Sequence, residues 1–139
     1  MVIEDTHQMK IATEFDGDKH YCDIRTIKRD NDKDLLAKRI GIKVVRIPYW
    51  VQLTTETLQY FFNIRGIEVK QDFPHGFIDK KAVLPASYCE LGIERFIYEF
   101  RRLPKNVQDR ITKSLKDSSE KNGIEYVVPR LIKEELGMS

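Results

Sequence analysis

IATEFDGDKHY (residues 11–21) and RDNDKDLLAKRIGIKVVRIPYW (residues 29–50) decide the fold of this 139-residue chain. From Met9 to Phe15 the residues alternate. Met9, Ile11, Thr13 and Phe15 share one side, and Lys10, Ala12 and Glu14 the other. A period of two is the mark of a strand. Asp16-Gly17-Asp18 ends it with turn chemistry. A helix is predicted from about Asp23 to Arg39, with Ile24, Ile27, Leu35 and Leu36 as its apolar side and Gly41 as its stop. Ile42 to Ile47 is rich in β-branched residues and reads as a second strand closed by Pro48. Upstream, Val2 to Glu4 is a short apolar segment and Asp5 to Gln8 a turn, so the first two strands pair as a hairpin. The order hairpin, helix, strand gives an α/β (α+β) fold, a small mixed sheet with a flanking helix in the N-terminal half.

The remainder reads as mostly helical. Thr54 or Thr55 caps a short helix carrying Leu58, Phe61 and Phe62. Residues 66–85, with Pro74, Gly76 and Pro85, read as loop. Ser87 and Glu90 form a capping-box pattern before a helix whose Cys89, Ile93, Phe96, Ile97, Phe100 and Leu103 fall on one side. Pro104 opens another helix with Val107, Ile111 and Leu115. A last strand is expected over Ile124 to Val128 and a final helix over Pro129 to Leu136, ended by Gly137. Residues 1–53 form an α/β core and residues 54–139 a helical extension packed on it as one domain.

Composition narrows the function classes. Hydrophobic residues are 41% and charged residues 33% of the chain, the balance of a folded domain. No apolar run approaches the ~20 residues that cross a membrane, no leader pattern is visible, and a cytoplasmic location is the default expectation. Cys22 and Cys89 stand in unrelated sequence contexts and read as free thiols. A net charge of +2 excludes a strong polybasic clamp but leaves room for a local phosphate-binding patch.

The chemistry concentrates in Glu14-Phe15-Asp16-Gly17-Asp18-Lys19-His20. Glu14 and Asp16 start on the same strand face, and their mutual repulsion calls for a cation or donors. His20, just past the turn, is placed to carry a proton or steady a phosphate oxygen. A solvated turn with a surface histidine is the bland alternative. On the following helix, Lys28 and Asn31 fall beside Ile24 and Leu35, and polar groups in an apolar stripe need partners. An ordinary charged helix, with pairs such as Asp34 with Lys38, is again the alternative. Tyr49-Trp50 after Pro48 could stack on a base, but a Trp beside a strand end reads first as core or rim packing, and His75 reads as a loop residue. Arg95, Arg101 and Arg102 read as a solvated face or a DNA-facing strip.

Taken together, Glu14, Asp16, Gly17, His20, Arg29, Asp30, Gly41 and Arg46, in that order, resemble the restriction-endonuclease-like superfamily, known by its PD-(D/E)xK signature. The likeness covers residues 11–53 and is to the branch related to very-short-patch-repair and some homing endonucleases. It implies a metal-dependent DNA endonuclease using Mg²⁺ or Mn²⁺. Glu14 and Asp16 would be the metal ligands, with Asp16 where many relatives carry lysine, and His20 a proton carrier or transition-state stabiliser. Lys28, Arg29, Lys33 and Arg46 would contact nucleic acid. Relatives place a further Asp on the preceding strand. Here that position falls at or before Met1, so weak activity is expected. The runner-up is a non-catalytic nucleic-acid-binding or protein-interaction module keeping the nuclease fold. A third reading is an unrelated α/β protein that binds a partner through its helical half. The open sheet edge at the N-terminus invites homodimer formation.

Overall fold

The computed structural model describes residues 2–4, 10–66, 68, 85–122 and 128–138. Strand β1 (Val2–Glu4) lies antiparallel to β2 (Lys10–Asp16), and β2 lies parallel to β3 (Ile42–Pro48), in the order β1-β2-β3. The register pairs Lys10 with Ile42 and Asp16 with Pro48. A parallel pair needs a crossover. Helix α2 (Ile24–Arg39) supplies it, preceded by the short α1 (Lys19–Cys22). The expected hairpin, helix and strand therefore pack as one unit, an α+β arrangement with a helical C-terminal half. The expected turn at Asp5–Gln8 and the Met9 start of the strand lie outside the described residues.

Local chemistry fixes the boundaries of α2. The Asp23 side chain accepts hydrogen bonds from the Arg25 amide at 3.0 Å and the Thr26 hydroxyl at 3.1 Å, satisfying the open N-terminus. Gly41, at φ +77°, turns the chain into β3 in a conformation that side chains disfavour. The inward side of α2 differs from the sequence expectation. Ile27, Asp30 and Ala37 are buried, whereas Ile24, Leu35 and Leu36 are exposed. Lys28 and Asn31 are exposed with them. The inward stripe thus contains a carboxylate, because charged partners await it on β3 and on a distant helix.

Thr54 caps α3 (Thr55–Phe62): its hydroxyl accepts the Thr57 amide at 3.3 Å while the Thr57 hydroxyl accepts the Thr54 amide at 2.8 Å. A 3₁₀ turn (Pro85–Ser87) leads into α4 (Glu90–Arg102). The N-cap of α4 is Cys89, without a side-chain cap, so the Ser87 capping box does not form. The Cys89 amide instead donates to the Tyr21 carbonyl at 3.0 Å, docking α4 on α1. The Cys89 thiol sits 3.3 Å from that same carbonyl, which brings it beside Cys22 despite their separation in sequence. Helices α5 (Lys105–Asn122) and α6 (Arg130–Leu136) follow, and Gly137 at φ +67° ends α6. Val107, Ile111 and Leu115 of α5 are buried as expected. The loop expected over 66–85 and the strand over 124–128 lie almost wholly outside the described residues. Val128 is described, is buried and is not in a strand.

One core serves both halves of the chain. Tyr21, Trp50 and Val51 pack with Phe96, Phe100, Leu115 and Ile132. Trp50 and Phe96 rings meet at 4.5 Å, and Tyr21 stacks on Tyr88 at 5.1 Å. Trp50 is therefore core, in line with the packing reading. Among the described residues no helix is long and apolar enough to cross a membrane.

Candidate functional site

β2 ends at Asp16, and the one-turn α1 that follows places His20 one helical turn on. Hydrogen bonds from His20 N–H to Gly17 O at 3.1 Å and from Tyr21 N–H to Asp18 O at 2.9 Å hold this turn. Asp30 arrives from the inward side of α2, Arg46 from β3, and Arg95 and Glu99 from α4. All meet at the C-terminal end of the parallel strand pair.

His20 Nδ1–H donates to Asp30 Oδ2 and lies 3.5 Å from Asp16 Oδ1. That bond fixes the tautomer and leaves Nε2 as the nitrogen for proton exchange. The His20 side chain is 25% exposed, whereas Asp16 is fully buried. Arg46 Nη1 donates to Asp16 Oδ1 at 3.0 Å and faces Asp30 Oδ1 at 3.5 Å, while its other nitrogens fork onto Asp34 at 2.8 and 3.0 Å. Arg95 Nη2 donates to Asp16 Oδ2, its Nη1 to Asp30 Oδ2 at 2.7 Å, and its Nε to Glu99 Oε1 at 3.3 Å. The Arg95 guanidinium also sits over the Tyr21 ring at 5.0 Å.

Burial pushes the Asp16 carboxyl up, against the pull of Arg46 and Arg95. Burial pushes Asp30 the same way, but its hydrogen bonds from His20 and Arg95 outweigh it, and Asp30 sits below the usual range. Glu99 is the carboxyl that yields. Burial holds it up to about 7 although Arg95 and the Tyr21 hydroxyl, at 2.6 Å, both approach it. Arg95 remains charged, held up by Glu99 and by the Asp30 and Asp16 carboxylates that it bridges. A carboxyl raised in the folded state stabilises the fold when protonated. This contribution is complete below the unfolded value near 4.5 and is lost as pH rises through about 7. Glu99→Gln is accordingly expected to gain stability relative to the parent between pH 4.5 and 8, by about 3 kcal/mol at most. Urea unfolding at the two ends of that range measures it, and parallel stability profiles would show that Glu99 titrates normally.

Asp16, His20 and Asp30 offer ligand atoms within 4.8 Å of one another, close enough to converge on one cation. Each carboxylate oxygen of Asp16 and Asp30, however, already faces a guanidinium nitrogen. A divalent ion would have to displace an arginine, so the set as arranged does not fit one.

Of the residues expected from sequence, the structure brings Asp16, His20 and Arg46 together. Glu14 is exposed and stands apart from the cluster. Arg46 is 11% exposed and engaged inside, which leaves Lys28, Arg29 and Lys33 as the exposed cations of that set. Asp34 pairs with Arg46 and not with Lys38. Arg95, read as a solvated face or a DNA-facing strip, is instead mostly withdrawn from solvent, its side chain 13% exposed, while Arg101 pairs with Glu135 at the surface. Asp30 enters the resemblance without a role, and Glu99 is not singled out by the sequence. Their signals were the Ile27-Asp30-Asp34-Ala37 spacing and the Arg95–Glu99 pair flanking Phe96 and Phe100. No family model, no curated protein and no solved structure matches the chain.

Proposed function

We propose that this chain is a nuclease-type core that hydrolyses phosphodiester bonds of DNA. The observation that carries the reading is the Asp30-oriented His20 beside buried Asp16, at the C-terminal end of the parallel strands β2 and β3. Ligands of α/β sheets bind outside that end. An imidazole whose Nδ1–H is held by a carboxylate accepts a proton at Nε2, and Asp30 then stabilises the imidazolium that forms. The attacking water loses its proton to His20, which later returns it toward the leaving oxygen. Lys28, Arg29 and Lys33, exposed on α2, supply phosphate contacts.

A second reading has its own support. The two guanidinium groups on Asp16 and Asp30 neutralise the acidic centre from within, as befits a nucleic-acid-binding module that keeps a nuclease-like fold without the chemistry. Plasmid nicking with Mg²⁺, with Mn²⁺ and with chelator separates the two. The nuclease reading expects slow nicking that persists in chelator, since His20 works there without a divalent ion, and that falls about 100-fold or more in His20→Gln and in Asp30→Asn. A folded chain that binds DNA but nicks it neither with either metal nor in chelator belongs to the second reading.

A further inference from the structure

On the side of β3 shared with α3 and α4 lies a slot of about 370 Å³ that adjoins the His20 cluster through Arg46 and Glu99. Its walls include Trp50, Tyr60, Phe61 and Tyr98, and its rim carries Lys43 and Arg102. Two of these rings stay in water, with Tyr98 58% and Tyr60 39% exposed, and both cations are exposed. The Arg102 guanidinium lies 3.3 Å from the Tyr98 ring centroid, anchored by a 2.9 Å hydrogen bond from Nη1 to the Tyr98 carbonyl. This is a preformed layer of a flat cation on an aromatic ring. Glu99 lines the same wall, but with its carboxyl held up to about 7 it adds only part of a negative charge at neutral pH.

We propose that this slot binds an unpaired nucleotide of single-stranded DNA, with the base against Tyr60 and the Arg102–Tyr98 layer and the phosphate on Lys43 and Arg102. Exposed aromatics bordered by basic side chains are the elements by which proteins hold single strands: stacking tolerates any base, and the cations track the backbone. A base inside a duplex has both faces covered by its neighbours and cannot enter such a slot. The slot adjoins the cavity that reaches Asp30, the two sharing Val44, Arg46, Tyr98 and Glu99. A strand held here would lie beside the cavity that Asp30 lines. The inference rests on the nucleic-acid reading above but not on catalysis.

The test is fluorescence anisotropy of a labelled oligothymidylate and of a duplex of equal length, in chelator, with the probe shown to be intact on a gel after each titration. The single strand is expected to bind more tightly than the duplex, with affinity falling as salt rises. Tyr98→Ala should weaken binding by about 10-fold and Tyr98→Phe should retain it. Lys43→Gln combined with Arg102→Gln should lower both the affinity and its salt dependence. The chain's sole tryptophan, Trp50, lines the slot, and its emission should change on binding. Preference for duplex, undiminished binding by a folded Tyr98→Ala, or absence of binding by the parent would overturn the slot. Oligothymidylate binding with no plasmid nicking, in metal or in chelator, would overturn only the nuclease reading, and nicking without single-strand binding only the slot.

Discussion

Replacing Gly92 by alanine is expected to destabilise the protein by about 3 kcal/mol or more, although alanine is the better helix former. Gly92 is buried in α4 where that helix crosses α1. A Cβ there would lie 1.7 Å from the Tyr21 carbonyl oxygen, 2.5 Å from its carbon and 2.8 Å from its Cα. These are backbone atoms, so no rotamer change relieves the clash. The helices would have to separate, yet the Cys89 amide ties α4 to that same carbonyl one turn earlier, and Phe96 is fully buried one turn later. Arg95, which bridges Asp16 and Asp30, would be drawn away with the helix. In an exposed helix the same change stabilises by about 1 kcal/mol, so the sign is diagnostic. Urea unfolding of the two proteins decides it, and an alanine variant as stable as the parent would mean that α4 does not approach α1 this closely.

What could be read in the sequence was local. The alternation in β2, the β-branched run in β3 and Gly41 between helix and strand each specify their element from a few neighbours, and their order then forces a parallel crossover. His20 joins Asp16 for the same reason, since a Gly turn and one helical turn return the imidazole to the strand end. The inward face of α2 was not legible. Its stripe of Ile27, Asp30, Asp34 and Ala37 looks like a solvent face because two members are charged. Asp30 is tolerable in the interior only because Arg46 and Arg95 meet it, and Arg95 lies 65 residues further along the chain. Ser87 failed as a cap on similar grounds, since docking on the Tyr21 carbonyl fixes where α4 begins.

Glu14 shows the limit of reasoning from a strand face. It starts on the same side as Asp16 and stands opposite Arg46 in the β2–β3 register. That pairing suggests a salt bridge, but the Arg46 guanidinium is taken by Asp34, Asp16 and Asp30. Three carboxylates near the strand ends outcompete one exposed carboxylate beside the Cα, because a buried charge left unpaired costs far more than a solvated one.

Arg95→Met is expected to cost about 3–5 kcal/mol at neutral pH, the usual consequence of removing one side of a buried ion network. Methionine has nearly the length to fill the space beside Tyr21 but can neither donate nor carry charge. Asp16 would keep Arg46 and lose its second donor. Asp30 would keep His20 and lose its shortest guanidinium bond, and the His20 carbonyl would lose the 3.2 Å bond from Arg95 Nη1. Both aspartates would then titrate at higher pH in the folded state than they do beside Arg95. A folded-state carboxyl pKa that moves up withdraws stability as pH rises through it, so the deficit of Arg95→Met should shrink on acidification as Asp16 takes up its proton. Adding Asp16→Asn to Arg95→Met tests the pairing directly. The double variant should recover at least about 1 kcal/mol relative to the sum of the two single losses, because one buried carboxylate no longer seeks the missing cation. Strict additivity in urea unfolding, or a deficit that does not change between pH 4.5 and 8, would show that Arg95 contributes packing alone and that the charges of β2, α2 and α4 are not coupled through it.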